Sequence, residues 1–200
     1  STPEFIALMA MLVATVAISI DAMLPALPDI AAQLTPERPN NVQLILSTFI
    51  IGMSAGTLIA GPLSDSFGRK TVIYWGAGLY ILASIICIFA SNLETMIIAR
   101  LCQGFGAAAP RVVSQALIRD LYSGRQMARI SSFVMIIFSI VPALAPLLGA
   151  GLISIFAWQS IFVIFIVFSA LSTTWTGLRI QEPLAPEQRI PFRRKAFQTA

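Results

Sequence analysis

VQLILSTFIIGMSAGTLIAGPLSDSFGRKTVIYWGAGLYILASIICIFA, residues 42–90, is the stretch on which the fold turns. Two apolar runs, 42–63 and 72–90, are separated by a short polar segment ending in Gly68, Arg69 and Lys70. A run of about 20 apolar residues coiled as a helix matches the hydrocarbon core of a bilayer. Lipid offers the backbone no hydrogen-bond partner, so each run must satisfy its own N–H and C=O groups as a helix. A closed barrel would need short strands of alternating hydropathy, and the sequence contains none. The stretch therefore reads as two membrane-spanning helices joined by a tight basic turn. Working outward, four similar runs lie at 5–27, 93–117, 130–153 and 158–178. The expected fold is an all-α integral membrane protein, a bundle of six transmembrane helices.

Composition agrees. Hydrophobic residues make up 57% of the chain and charged residues 11%, whereas a soluble domain carries about 25% charged residues. The net charge of +4 comes from basic residues in short loops, a topology signal rather than a nucleic-acid-binding face. Histidine is absent, which removes the usual catalytic base and metal ligand. Cys87 and Cys102 lie within apolar runs and suggest neither a disulfide framework nor a zinc site. No nucleophile is placed beside a base, so no enzyme activity, metal or organic cofactor is expected. The chain opens on Ser1, and its first apolar run is too long for a signal-peptide core. It is expected to be a fragment without its extreme N-terminus.

Loop charges predict the orientation. Arg69 and Lys70 follow the second span, Arg119, Arg125 and Arg129 the fourth, and Arg179, Arg189, Arg193, Arg194 and Lys195 the sixth. The alternate loops carry only Arg38 among basic residues. Positive-inside bias then puts both termini and the basic loops in the cytoplasm. Tyr74, Trp75, Trp158 and Trp175 fall near span ends, where aromatic belts belong. Residues 181–200, with three prolines and the Arg193-Arg194-Lys195 cluster, read as a cytoplasmic linker; contact with anionic headgroups is a secondary reading.

Ionisable groups inside a span are costly and mark function by default. Asp21 lies toward the outer end of the first span, on a face with Ala7, Ala10, Ala14 and Ala17, and Pro25 and Pro28 follow it. That small-residue strip suits either close helix packing or a cavity wall. On the fourth span Arg100 and Arg111 are three turns apart on nearly one face, with Gln103, Gly104, Ala107, Ser114 and Gln115 on or beside it. Such a polar stripe is expected to line a water-filled cavity, although either arginine could snorkel to an interface. Asp21 and Arg100, both in the outer half, could answer one another across that cavity, and protonation of Asp21 would then bias two conformations. Ser91 and Glu94 have the spacing of a capping box. Gly52, Gly56 and Ala60 form a small-residue ridge on the second span. Pro142, Pro146 and Gly149 are expected to interrupt the fifth, as moving segments of transporters often are interrupted.

The segment GPLSDSFGRK, residues 61–70, can be read physically before it is compared. Gly61 permits tight helix contact, Gly68 a sharp turn, and Asp65 and Arg69 are close enough to pair. The same segment resembles the signature between the second and third helices of the major facilitator superfamily, with Ser66 and Thr71 replacing usual basic residues. The resemblance implies that Asp65 contacts a second half of the transporter and that Arg69 pairs with an acid at the end of the fourth helix, a place held by Asp120. Gly61, Asp65, Gly68, Arg69, Lys70 and Asp120 would together latch one side during alternating access.

Arg100-Leu101-Cys102-Gln103-Gly104 resembles the fourth-helix motif of the drug:proton antiporters with twelve helices, whose arginine is linked to proton coupling. Residues 142–149 resemble their fifth-helix motif, although Val141, Ala145 and Ala150 replace its glycines. Asp21 with Leu24-Pro25 and Leu27-Pro28, and Arg119-Asp120-Leu121-Tyr122, are most similar to the bicyclomycin/chloramphenicol resistance group (Bcr/CflA).

By this resemblance the chain is the amino-terminal half of a bacterial inner-membrane exporter. It would move hydrophobic drug-like compounds against protons, and its partners would be that substrate, membrane lipid and a C-terminal half. Candidate cavity residues are Asp21, Arg100, Gln103, Arg111 and Gln115; the proton is the coupling ion, and no cofactor is implied. A same-fold transporter of a small metabolite such as an amino acid or sugar is the nearest alternative, and more polar cavity residues would favour it. A channel or non-transporting scaffold fits the latch segment poorly. The internal 3+3 repeat of such a half is not visible in the sequence.

Overall fold

The computed structural model describes residues 2–184. Arg189, Arg193, Arg194 and Lys195, and with them most of the expected 181–200 linker, lie outside the described residues. Among the described residues every regular element is helical: α1 (Thr2–Asp21), α2 (Leu27–Leu34), α3 (Leu44–Phe67), α4 (Arg69–Ile88), α5 (Leu93–Leu121), α6 (Gly124–Ile153) and α7 (Gln159–Arg179), with 3-10 turns at Leu24–Ala26 and Pro39–Gln43. Five segments are long and apolar enough to cross a membrane, the first running from α1 through α2. The sixth long helix, α5, spans 29 residues but carries Glu94, Arg100, Arg111 and Arg119, which lower its apolar character. The protein is a multi-pass membrane bundle.

The apolar runs locate the helices, but breakers decide their ends. The first span does not stay one α-helix to residue 27. It stops at Asp21, and Pro25 and Pro28 open the short turns that follow, positions where proline's missing N–H costs nothing. At the other end of the bundle the helices outrun their apolar runs. α3 continues through Ser64, Asp65 and Ser66 to Phe67, and α4 starts at Arg69, so the expected basic loop is the single residue Gly68. Its φ of 97° lies in the region that only glycine adopts freely. α5 is capped by Asn92, whose side chain accepts the Thr95 N–H at 2.8 Å, rather than by Ser91. α6 runs unbroken through Pro142 and Pro146, so the expected interruption of the fifth span is absent; proline is tolerated within membrane helices.

α5 is the central element, packed against α3, α4 and α1, while α1 also packs on α6 and α7, and α4 on α7. Exchanging α1 with α5, α3 with α6 and α4 with α7 carries α3–α5 onto α6–α1 and α4–α5 onto α7–α1, and leaves α4–α7 and α1–α5 unchanged. The bundle is therefore two three-span repeats; three is odd, so the repeats run in opposite senses through the bundle.

The close approaches depend on glycine. A Cβ at Gly52 would strike the Leu101 carbonyl, and one at Gly104 the Phe49 carbonyl. Gly76 and Gly106 face each other the same way between α4 and α5, a Cβ on either lying within 2.7 Å of the other's carbonyl oxygen. The Gly52, Gly56 and Ala60 ridge is thus the seam between α3 and α5. The alanine strip of α1 is likewise packing, since Ala10, Ala14 and Ala17 are buried. Large apolar side chains such as Leu58, Phe89, Leu147 and Leu178 point outward, as a lipid-facing surface requires.

Candidate functional site

Two polar constellations interrupt this apolar bundle. The first surrounds Arg100, which is completely buried. Its Nε donates to the Ile45 carbonyl at 3.3 Å, one terminal nitrogen to Gln103 Oε1 at 2.5 Å and the other to the Ser19 carbonyl at 3.1 Å. The guanidinium lies 4.3 Å from the centre of the Phe49 ring. Gln103 passes the chain on by donating to Ser84 Oγ at 2.6 Å, and Ser84 donates to the Tyr80 carbonyl at 2.7 Å. The Tyr80 and Ser19 hydroxyls meet at 2.5 Å. Four helices, α1, α3, α4 and α5, thus converge on one cation held by neutral acceptors and an aromatic face. Guanidinium suits such a place because it is weakly hydrated and presents its donors as a rigid fork.

This corrects two expectations. Arg100 and Gln103 do not line a cavity wall: both are sealed inside the bundle. Nor is Arg100 bonded to Asp21: among the described residues its hydrogen bonds go to the Ser19 and Ile45 carbonyls and to Gln103. Asp21 is half-buried at the end of α1. Next to it the Ala22 carbonyl lies against Gly149 of α6, where a Cβ would collide with it, so Gly149 is a packing position. Pro142 and Pro146 are half-buried within the continuous α6. Arg111 and Gln115, further along α5, are also half-buried, and among the described residues Arg111 reaches only Met53 Sδ, at 3.6 Å. The expected stripe therefore divides into a sealed part and a partly uncovered part.

The second constellation gathers at the end of the bundle where the basic residues lie. Arg69, buried at the first position of α4, donates from Nε to Asp120 Oδ2 at 2.8 Å and from a terminal nitrogen to Asp65 Oδ1 and Ser64 Oγ, both at 2.6 Å. It joins the end of α3, the start of α4 and the end of α5 through two carboxylates. Lys70 turns the other way and donates from Nζ to the Gly177 carbonyl of α7 at 2.8 Å. Gly68 supplies the turn, but Gly61 makes no tight helix contact: nothing lies within 4 Å of a Cβ placed there. Glu4 of α1 ties down α7 in the same region, accepting from Arg179 Nε and, at 2.8 Å, from its terminal nitrogen.

Ser19, Tyr80 and Ser84 in the first network, and Glu182, which accepts the Arg69 and Lys70 N–H groups in the second, lie outside every motif of the sequence. Tyr80 and Ser84 stand one turn apart inside an apolar span, a signal that each needs an internal partner. Glu182 carried no local signal. A crevice of about 500 Å3 between the starts of α1 and α6, lined by Ile6, Gln126, Arg129 and Phe133 among others, touches none of the candidate residues. No group of three or more histidine, cysteine or acidic side chains among the described residues is arranged to hold a metal.

Comparison with known proteins gives a consistent set. Residues 8–199 match the family described as the Major Facilitator Superfamily. An uncharacterized MFS-type transporter, YdgK of Bacillus subtilis, is 36% identical over 87% of this chain and 44% of its own length. A bicyclomycin resistance protein homolog of Haemophilus influenzae is 34% identical over 87% of the chain and 44% of its own length. The multidrug resistance protein MdtL of Escherichia coli is 38% identical over 72% of the chain and 36% of its own length. In the human organic anion transporter MFSD10 the same fold recurs, with a TM-score of 0.75 at 17% identity over 96% of this chain and 50% of that one. The chain spans less than half the length of the curated relatives it matches.

Proposed function

Because the chain belongs to the Major Facilitator Superfamily, we propose that it is the amino-terminal half of a secondary active transporter that exports hydrophobic, drug-like compounds in exchange for protons. The observation that carries this reading is the grip of Asp65 and Asp120 on Arg69 at one end of the bundle. An ion-paired fastening between helix ends serves a protein that must close one side while the other opens, and it can be released without unfolding the spans. Asp65 is only partly covered, with 45% of its side chain exposed, which leaves it a surface for a second half. The resistance-protein relatives support drug-like cargo, and membrane export of such cargo calls for a mostly apolar site with a few polar groups.

In this reading the basic end and both termini face the cytoplasm of a bacterial inner membrane. The substrate site lies against the second half, so Arg111 and Gln115, partly uncovered, are better candidates for it than the sealed Arg100 and Gln103. Asp21 is the proposed proton carrier, a half-buried carboxylate at the opposite end of α1. Arg100 is proposed to act indirectly, by fixing the end of α1 through the Ser19 carbonyl, two residues from Asp21. Transport of this kind needs no cofactor beyond the proton.

The test is efflux from bacteria lacking their own pumps and expressing the full-length protein. A fluorescent lipophilic dye and chloramphenicol are followed with and without an uncoupler. Uncoupler-sensitive efflux that Asp21→Asn abolishes, at equal expression, is the expected result. Efflux untouched by the substitution removes Asp21 from coupling, and absence of efflux of both compounds overturns the drug reading.

A further inference from the structure

We infer that Glu182 is a positioning residue of the Arg69 latch: it caps α4 from the far end of the chain and holds Arg69 where Asp65 and Asp120 grip it. The inference rests on the latch reading above. A helix start leaves its first N–H groups without intrahelical partners, and α4 has no side-chain cap from the residue before it, which is Gly68. Glu182, just beyond α7, fills that place. Its Oε1 accepts the Arg69 N–H and its Oε2 the Lys70 N–H, both at 2.9 Å. A carboxylate at this position also meets the positive end of the helix dipole.

The fastening is reciprocal. Lys70 Nζ donates to the Gly177 carbonyl near the end of α7 at 2.8 Å, and Gly177 itself is pressed against the Tyr74 ring, where a Cβ would overlap the hydroxyl. The Leu184 N–H bonds back to Glu182 Oε1 at 3.3 Å and holds the carboxylate in place. The need for such a clasp follows from the turn. α3 and α4 are separated only by Gly68, the residue type with the freest backbone, so the turn by itself leaves the first residue of α4 loosely directed. Arg69 must nevertheless present two donors to acids on different helices, α3 and α5. With Glu182 in place, α7 and the chain that leaves it are bonded to the same residue that locks α3, α4 and α5. Release of the clasp is then expected to loosen the latch even with all three of its charged side chains intact.

The experiment uses the full-length protein in inside-out vesicles, with a single cysteine introduced at Thr57 or at Ser132, exposed positions on α3 and α6. Labelling by a water-soluble maleimide is scored against protein without the added cysteine, and no substrate need be known. Asp120→Asn, which weakens the latch directly, is the reference. Loss of a charge-assisted cap shifts a two-state balance by about tenfold, so Glu182→Ala is expected to label about tenfold faster, and Glu182→Gln to fall between it and the parent. Thermal unfolding is recorded for each variant. A lower unfolding midpoint with unchanged labelling makes Glu182 a structural staple only and overturns the inference. Faster labelling in Asp120→Asn but not in Glu182→Ala overturns it while leaving the latch standing. No change in either variant sinks the latch reading, and the inference with it.

Discussion

Arg100 occupies the costliest place in the bundle for a charge, yet the residues around it make the cost bearable. Its donors go to two backbone carbonyls and one amide, and its flat face lies on Phe49. A lysine would keep the charge and lose the fork that spans α1, α3 and α5. Arg100→Lys is therefore expected to lower stability by about 2 kcal/mol, read as a lower unfolding midpoint of detergent-purified protein. Ser19→Ala keeps the carbonyl that Arg100 uses and removes the hydroxyl's bonds to Tyr80 and to the Thr15 carbonyl one turn back, so its cost is smaller, about 1 kcal/mol. Equal losses in the two variants would show that the guanidinium fork has no special part. That Arg100 mattered was legible in the sequence, because a charge within an apolar run always needs a reason. Which way it faced was not, since the Ile45 and Ser19 carbonyls and the Phe49 ring come from other helices.

At the scale of the element, α5 shows how far backbone contact governs a membrane helix. Apolar side chains gain little by leaving lipid for one another, so association depends on close approach. Gly104 against Phe49, and Gly52 against Leu101, give α3 and α5 that contact. Gly104→Leu is expected to force the helices apart at a cost of about 1–3 kcal/mol and to appear as aggregated protein on size-exclusion chromatography. Gly78 provides the contrast: it lies within α4 with nothing within 4 Å of a Cβ. Gly78→Ala is expected to leave the elution profile unchanged and to raise stability slightly, by about 0.5 kcal/mol. A monodisperse Gly104→Leu protein with unchanged unfolding would contradict this account of the seam. The sequence displayed the small-residue ridge of α3 plainly through its spacing. It did not display the matching glycines of α5 as partners, and it suggested a break in α6 where the helix stays whole through two prolines.

Over the whole molecule, α3 and α6 are exchanged by the internal repeat and are the spans least covered by the rest of the bundle. Under the proposed function, a second half of the transporter would use that open surface. Gly61 lies on it, in the latch segment, with no atom of the described residues within 4 Å of a Cβ placed there. Gly61→Leu is thus predicted to leave the fold of these 200 residues unchanged by circular dichroism and size-exclusion chromatography while abolishing efflux by the full-length protein. Normal efflux would mean that nothing approaches Gly61 closely in the complete transporter.

What the amino-acid order determined by itself is what can be decided within about 20 residues. Hydropathy marks the spans, because each helix must satisfy its own backbone in lipid. The basic residues cluster in alternate loops, and the in-span charges stand out against their surroundings. The tertiary structure alone decided the relations between distant segments: the two interchanged triplets, the burial of Arg100 and Gln103, the one-residue turn at Gly68 with helix on both sides, and the reach of Glu182 back to α4. The physical reason is that helix–helix contacts in lipid depend on which backbones can approach and which polar groups find partners across more than 100 positions of chain, as in the Glu182 to Arg69 bond with its separation of 113. No local pattern carries that information.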